Sequence, residues 1–252
     1  MSFEVEAESY DRYVGRYVPA LAASLADVAG VGPGMRVLDV GCGPGGLTAE
    51  LVRRVGAASV VAIDPSESFV AACRTRNPGV DIRLGVAEEL PFHDDEFDVA
   101  LASLVIQFMN DAQRGVGEMA RVSTNAVAGC VWDYTGGMKA LRLFWDAARA
   151  VDDSPPDEEW RLGGKPGEIA SLMRAVGLDV VADGELLVDA GYDDFDDWWD
   201  PFTFGIGPAG SYYRSLPSDM QDAIREECRR RLGDPHGPFR LSALAWYAVG
   251  RV

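Results

Sequence analysis

A glycine-rich turn between a short apolar segment and an amphipathic one constrains the fold of this chain most strongly. Residues 35–40, which read Met-Arg-Val-Leu-Asp-Val, predict a strand that leads directly into a Gly-x-Gly-x-x-Gly turn over residues 41–46. Apolar residues then recur with a helical period from Leu47 to Val55. Glycines here let a ligand approach the backbone closely and permit dihedral angles that side chains forbid. The pattern predicts a strand, a ligand-binding turn and a helix.

Strands and helices continue to alternate after this unit. Further strands are predicted at residues 59–63, 80–84, 97–103 and 126–132. Ser66 and Asn110 are expected to cap the helices that follow the second and fourth strands. Alternation at this spacing predicts right-handed βαβ units, and therefore an α/β, Rossmann-like, doubly wound sheet with helices on both faces. Such sheets bind ligands at the carboxyl ends of their strands.

The two ends of the chain extend this pattern. Residues 10–28 have helical spacing, and Pro19 is expected to divide them into two short helices. Towards the C-terminus, residues 178–188 and 240–249 predict two more strands. Ser218 and Gln221 predict a capping box at the start of a helix between those strands.

Composition excludes several classes of protein. The 252 residues are 48% hydrophobic and 25% charged, which is typical of a globular chain with a sizeable core. The formal net charge of −17 repels phosphate backbones and argues against a nucleic-acid partner.

The cysteines and the N-terminal sequence indicate the cellular compartment of the protein. Four widely separated cysteines form no metal-binding or disulfide pattern, so we expect reduced thiols and no metal site. The acidic start, MSFEVEAESYDRY, is unlike a signal peptide, and no run of about 18 apolar residues occurs. We therefore expect a cytoplasmic protein without membrane insertion.

Two carboxylates narrow the choice of ligand. Asp64 ends the second predicted strand about 20 positions after the turn, where a carboxylate can accept hydrogen bonds from both hydroxyls of a ribose. Asp39 lies within the first strand, where a charge is costly unless it meets a cation. A ribose together with an amino-acid ammonium group points to S-adenosylmethionine.

The motifs resemble those of a known enzyme family. Residues 37–45 (VLDVGCGPG), 60–66 (VVAIDPS), 85–92 (GVAEELPF) and 97–103 (FDVALAS) are similar, in order and spacing, to motifs of class I S-adenosylmethionine-dependent methyltransferases. The similarity covers about residues 30–135 and is greatest to the small-molecule branch that includes the ubiquinone and menaquinone enzymes. It implies a seven-stranded sheet, parallel except for an antiparallel last strand.

The resemblance also implies the cofactor and its contacts. S-adenosylmethionine would be bound and S-adenosylhomocysteine released, with Asp39 on the ammonium group, Asp64 on the ribose, and Ala87 and Glu88 bordering the adenine. The full set of expected cofactor residues is Asp39, Gly41, Cys42, Gly43, Asp64, Pro65, Ala87, Glu88 and Ser103.

The acceptor is expected to be a small organic molecule. The fourth strand is not followed by the Asn/Asp-Pro-Pro-aromatic run with which enzymes that methylate nucleic-acid bases hold a flipped base. Methyl transfer from an activated donor depends mainly on positioning, so a general base is optional. Asp133, after the fifth strand, is the better-placed candidate base, and His236 is the second.

Aromatic residues are the candidates for contacts with the acceptor. Those expected to bind substrate are Tyr10, Tyr13, Tyr17, Trp132, Trp198 and Phe202. They would form an apolar wall against a planar molecule, although aromatic residues at helical spacing also serve as ordinary core.

We expect one domain over residues 1–252. Its parts are an N-terminal helical cap (1–31), a cofactor-binding core (32–135), the rest of the core (136–189), a lid-like insertion (190–238) and a closing strand (239–252). Two other functions share the glycine turn: an NAD(P)-dependent oxidoreductase and a non-catalytic S-adenosylmethionine-binding module. The oligomeric state and the acceptor stay open.

Overall fold

The computed structural model describes residues 12–156, 158, 161–205 and 207–252, and within them seven strands form one sheet. The strands are β1 (Val37–Val40), β2 (Val60–Asp64), β3 (Asp81–Leu84), β4 (Phe97–Ser103), β5 (Ser123–Trp132), β6 (Asp179–Tyr192) and β7 (Phe239–Arg251). Their order across the sheet is β3-β2-β1-β4-β5-β7-β6. The predicted seven-stranded α/β sheet is confirmed.

Strand direction also agrees with expectation. The strands β1 to β5 pair in parallel, and β7 runs antiparallel to both β5 and β6. Val37 of β1 pairs with Val60 of β2 on one side and with Val99 of β4 on the other. The strand order therefore reverses between β1 and β4, which is where ligands of such sheets bind.

Helices cover both faces of the sheet. In the described residues they are α1 (Val18–Val28), α2 (Gly46–Val55), α3 (Glu67–Arg76), α4 (Ala112–Arg121), α5 (Lys139–Val151), α6 (Glu168–Ala175), α7 (Phe195–Thr203), α8 (Gly207–Ser215) and α9 (Ser218–Arg231). Neighbouring residues of β1 pack into different hydrophobic clusters: Val37 lies with Leu51 of α2 and Phe144 of α5, and Leu38 with Met119 of α4. This alternation is the two-residue period of a strand buried on both faces.

The helix starts test the predicted caps. Ser66 caps α3 as expected, because its hydroxyl accepts a hydrogen bond from the Phe69 amide. At α4 the predicted cap is wrong by one residue: the side chain of Asp111, not that of Asn110, accepts from the Arg114 amide at 2.9 Å. An aspartate and an asparagine are nearly equivalent as caps, so the sequence could not choose between neighbours.

Two other expectations about helix ends were also wrong. Pro19 does not divide the N-terminal run: it lies in the first turn of α1, where its missing N–H costs no hydrogen bond. A short 3₁₀ helix (Gly15–Tyr17) precedes α1. The capping box of Ser218 and Gln221 does not form, because the Gln221 amide donates instead to the carbonyls of Tyr213 and Leu216, both at 3.0 Å.

The segment between β6 and β7 forms three helices, α7 to α9, and the aromatic side chains of α7 are buried. Phe202 stacks on Phe144 of α5 with ring centroids 4.7 Å apart, and Trp198 is 2% exposed. These rings belong to the same hydrophobic cluster as α1 and α2. In this structure, the aromatic run is part of the core.

Among the described residues, no helix is long and apolar enough to cross a membrane.

The core position of Phe202 predicts a stability difference. Phe202→Ala should lower the free energy of unfolding by about 3–5 kcal/mol, because a buried ring leaves a cavity. Phe204→Ala is the matched control: its ring is 40% exposed, so the loss should be about 1 kcal/mol or less. Urea denaturation followed by tryptophan fluorescence measures both. Equal, small losses would contradict the core assignment.

Candidate functional site

A cavity of about 770 Å³ lies at the carboxyl ends of the strands, beside the point where the strand order reverses. The turn after β1 and the segments that follow β2, β3 and β4 form its floor. Gly15, Arg16, Val18 and Pro19, at the start of α1, line it from the N-terminal segment. Its size is ample for a nucleoside ligand together with part of a second molecule.

Two glycines of the turn between β1 and α2, Gly41 and Gly43, lie beside the cavity. Gly41 has a φ of +72°, and a Cβ there would lie 2.4 Å from Cγ2 of Val105. Gly43 has a φ of +54°, and a Cβ there would meet nothing within 4 Å. Gly41 is therefore needed both for its dihedral angle and for close packing, whereas Gly43 leaves open space beside the backbone.

Asp39 is a buried carboxylate with one unpaired oxygen. Its side chain is 1% exposed, and Oδ2 accepts a hydrogen bond from the Thr48 hydroxyl at 2.6 Å. Oδ1 has no hydrogen-bond partner among the described residues. Burial raises the pKa of Asp39 to about 8, because desolvation disfavours the charged form. A cation placed beside Oδ1 would offset that cost.

Asp64 joins two loops at the edge of the cavity. Oδ2 accepts from the Gly43 amide and Oδ1 from the Ser66 amide, both at 2.8 Å. Burial raises the pKa of Asp64 although these two hydrogen bonds oppose the shift. Since each carboxylate oxygen has a second lone pair, Asp64 can still accept hydrogen bonds from hydroxyl groups.

Two thiols connect the glycine turn to α3. Cys42 lines the cavity, and interaction with the Cys73 thiol raises the pKa of the Cys42 thiol. Sγ of Cys73 also lies 3.5 Å from the Thr48 hydroxyl that supports Asp39. Interaction with the Cys42 thiol is the main reason that the pKa of Cys73 is lowered to about 7. The turn, α2 and α3 are thus linked beneath Asp39.

The other predicted cofactor residues line the same cavity. Oε1 of Glu88 accepts from the Asn110 amide at 2.7 Å, which ties the segment after β3 to the segment after β4. The Ser103 hydroxyl lies 3.7 Å from Sγ of Cys130. Asp39, Gly41, Cys42, Gly43, Asp64, Pro65, Ala87, Glu88 and Ser103 all line it. The structure therefore brings together every residue that the sequence assigned to the cofactor.

The two candidate bases lie elsewhere. Asp133 holds a turn: Oδ1 accepts from the amide and hydroxyl of Thr135 at 2.8 and 2.6 Å, and Oδ2 from the Gly137 amide at 3.0 Å. The His236 side chain is 87% exposed, with Nε2 3.6 Å from Asp234. Neither residue lines the cavity.

The described aromatic candidates are also outside the cavity. Tyr13 packs edge-on against Phe202, and Tyr17 against Trp132. The Tyr17 hydroxyl lies 3.0 Å from that of Tyr192, and both side chains are buried. Tyr10 lies outside the described residues.

Arg16 anchors the N-terminal segment to α7. Its Nη1 and Nη2 atoms each lie 3.1 Å from an oxygen of Asp197, and Nη1 donates to the Gly191 carbonyl at 2.9 Å. The guanidinium also lies over the Tyr192 ring, 4.3 Å from its centroid. These hydrogen bonds from Arg16 lower the pKa of Asp197. The insertion therefore reaches the cavity through Arg16.

Gln107, Phe108, Met109 and Arg161 are among the lining residues that were not foreseen from the sequence. The first three lie in the segment that follows β4, so the rule that ligands bind at strand ends was a usable signal. Arg161 comes from the loop between α5 and α6, and no motif marks it. It is 2% exposed and forms an ion pair with Glu158, Nε to Oε1 at 3.1 Å.

Comparison with known proteins identifies the region that forms this site. Residues 38–126 match a family model described as a methyltransferase domain. This region of the chain is similar to methyltransferase domains. The predicted resemblance is therefore confirmed, and all nine predicted cofactor residues fall within the matched range.

Curated proteins similar to this chain include a ubiquinone biosynthesis O-methyltransferase and a demethylmenaquinone methyltransferase. A ubiquinone biosynthesis O-methyltransferase of Rhizobium etli is 43% identical over 153 residues, which is 58% of this chain and 61% of that protein. A demethylmenaquinone methyltransferase of Renibacterium salmoninarum is 35% identical over 99 residues, 39% of this chain and 41% of that protein. The chain thus spans less than two thirds of these curated relatives.

Solved structures share the fold of the whole chain. A protein of Anaeromyxobacter dehalogenans, named provisionally as a type II methyltransferase, matches with a TM-score of 0.66 and 22% identity. The match covers 94% of this chain and 97% of that one. At this level of identity, the similarity establishes the fold alone.

The raised pKa of Asp39 predicts a pH-dependent stability. Since the folded protein holds this acid protonated up to about pH 8, its contribution to stability is complete below the unfolded pKa and is lost as the pH rises towards 8. Asp39→Asn stays neutral. Its free energy of unfolding relative to wild type should therefore rise between pH 5 and pH 8, by on the order of 3 kcal/mol.

Urea denaturation at pH 5, 6.5 and 8, without added ligand, measures this change. Asp183→Asn, on an exposed position of β6, is the matched control and should keep a constant difference from wild type. A constant difference for Asp39→Asn as well would show that Asp39 ionises normally.

Proposed function

We propose that this protein transfers the methyl group of S-adenosylmethionine to a small organic acceptor and releases S-adenosylhomocysteine. One observation carries the proposal. A buried carboxylate with an unpaired oxygen, Asp39, and a second carboxylate at the end of β2, Asp64, line one cavity, in the region that is similar to methyltransferase domains. Asp39 and Asp64 lie on the adjacent strands β1 and β2, an arrangement that suits an amino acid joined to a ribose.

The residues present fit that ligand. Asp39 would hold the ammonium group, because Oδ1 lacks a partner and a cation favours the ionised carboxylate. Asp64 would accept hydrogen bonds from the ribose hydroxyls while keeping Gly43 and Ser66 in place. The open space beside Gly43 lets a ligand lie against the backbone. Ala87 and Glu88 would border the adenine.

The protein's part in the chemistry is positioning. S-adenosylmethionine supplies a methyl group that is already activated on a sulfonium. The chain contributes a cavity that orients the two reactants and limits water, and such orientation can supply much of the rate. Asp133 and His236 lie outside the cavity, so the proposed transfer does not depend on them as bases.

A small acceptor fits both the relatives and the surface charge. The relatives named above are assigned to ubiquinone biosynthesis and to demethylmenaquinone. A net charge of −17 opposes a nucleic-acid substrate. We place the reaction in the cytoplasm, which fits four buried cysteines that form no disulfide.

Calorimetry tests the cofactor assignment. At pH 7, wild type should bind S-adenosylhomocysteine and release up to one proton, because the ligand's ammonium group drives ionisation of a carboxyl whose pKa is about 8. Asp39→Asn should bind at least about 30-fold more weakly and release no proton from this position. Titration in buffers of different ionisation enthalpy counts the protons.

The same titrations separate the other functions. Tight binding of the reduced dinucleotide, without binding of S-adenosylhomocysteine, would identify an oxidoreductase and refute the proposal. Binding of S-adenosylmethionine without transfer of a labelled methyl group to any small molecule in a broad acceptor panel would identify a non-catalytic module. Asp183→Asn serves again as the control and should bind like wild type.

A further inference from the structure

One residue that lines the cavity has a backbone conformation that is unusual for its type. Among the described residues, the non-glycine residues with a positive φ are Asp95, Leu104 and Asp234. Aspartate is tolerated in the left-handed region, whereas a bulky leucine is an outlier there because its Cβ crowds the backbone. Leu104 has a φ of +63° and comes directly after β4. Such a conformation persists where surrounding contacts impose it, and outliers of this kind concentrate at functional sites.

Gln107 holds the carbonyl group of Leu104. Its Nε2 atom donates a hydrogen bond to that carbonyl at 2.9 Å. The Leu104 amide donates to the Cys130 carbonyl of β5, also at 2.9 Å. Both backbone polar groups of Leu104 are therefore held, one by the neighbouring strand and the other by a single side chain. Without the Gln107 donor, the left-handed conformation would lose one of these two hydrogen bonds.

The turn at Leu104 places the next two side chains against the strands on either side of β4. A Cβ at Gly41, after β1, would lie 2.4 Å from Cγ2 of Val105. A Cβ at Gly129, in β5, would lie 2.6 Å from Cδ1 of Ile106. Since β4 lies between β1 and β5, these two side chains fill spaces that glycine leaves on both neighbours. The position of the turn is thus tied to the glycine turn after β1.

The far end of the same segment is attached to another predicted cofactor residue. Oε1 of Glu88 accepts hydrogen bonds from the amides of Asn110 and Asp111 at 2.7 and 3.2 Å. Residues 104–110, called the β4 loop here, are therefore held against Gly41 at one end and by Glu88 at the other. All but one of its residues line the cavity. A displacement of the first turn would shift a wall against which the cofactor is expected to lie.

We propose, on the basis of the proposed function, that Gln107 is a positioning residue for the cofactor. By holding the Leu104 carbonyl, its amide keeps Val105 against Gly41 and so fixes the cavity wall beside the glycine turn. Gln107 does this without contacting the cofactor. A leucine by itself favours other dihedral angles, so the β4 loop depends on this hydrogen bond. A glycine at position 104 would keep the turn without it.

Exchange of residue 104 tests the strain. Leu104→Ala and Leu104→Gly both remove the leucine side chain, but only glycine adopts a positive φ without crowding. The glycine variant should therefore have a folding equilibrium constant about 5-fold larger than that of the alanine variant. Urea denaturation measures both. Equal stability, or a more stable alanine variant, would show that position 104 is not strained and would overturn the proposal.

A double-mutant cycle tests the link to Gln107. Gln107→Met keeps the length of the side chain but removes the donor. With leucine or alanine at position 104, it should weaken binding of S-adenosylhomocysteine about 10-fold, the worth of one hydrogen bond. With glycine at position 104, the loss should be about 2-fold or less, because glycine retains the turn. Calorimetric titration measures the six dissociation constants.

A general packing role for Gln107 would not depend on residue 104. The same loss in all three backgrounds would therefore overturn the proposal. Gln113→Met, at an exposed position of α4, is the matched control and should bind like wild type. Folding of Gln107→Met only when glycine is at position 104 would support the proposal, whereas failure to fold in every background would overturn it.

Failure of the proposed function gives a different result. In that case wild type itself does not bind S-adenosylhomocysteine, and the positioning role falls with the function. If the positioning role alone is wrong, wild type binds and the identity of residue 104 makes no difference to the effect of Gln107→Met. Urea denaturation of the same six proteins judges the link between Gln107 and Leu104 in either case.

Discussion

The carboxylate of Asp64 is the interaction on which the cavity depends. It holds the Gly43 amide with one oxygen and the Ser66 amide with the other, so one side chain fixes the turn after β1 and the start of α3. These two loops leave the sheet at adjacent strand ends and would otherwise move independently. Because the hydrogen bonds are made to backbone, the arrangement requires a carboxylate at position 64 but few particular neighbours.

Asp39 differs from Asp64 in its hydrogen bonding. Asp64 has both oxygens engaged, whereas Asp39 is more deeply buried and has one oxygen without a donor. Asp64 therefore stabilises the turn, whereas the buried, unpaired oxygen of Asp39 lowers its stability. A buried group that lowers stability is tolerated most readily where a bound ligand supplies its missing hydrogen bond. Binding sites commonly lose stability in this way for the sake of function.

The fold and the predicted cofactor residues were accessible from the sequence because their signals are local. Asp39, Gly41 and Asp64 stand at fixed distances from strands that periodicity alone locates. The acceptor-binding residues could not be predicted in the same way, as Trp198 and Phe202 show. Aromatic rings at helical spacing occur both in core helices and in substrate-binding walls. Only the stacking of Phe202 on Phe144, between segments remote in sequence, places the ring in the core. Gln107 followed a predicted strand end, but nothing local reveals that its amide holds the Leu104 carbonyl.

The contact between Arg16 and Asp197 joins groups that are 181 residues apart in the chain. Bringing two such distant residues together costs loop-closure entropy, and contacts of this kind slow folding. We therefore expect the Arg16–Asp197 contact to form late in folding. During synthesis, β1 to β5 and the glycine turn leave the ribosome well before α7 does, whereas β7 leaves after it. A nascent chain can therefore pair its parallel strands early, yet it lacks the Arg16–Asp197 contact beside the cavity until most of its length has been made.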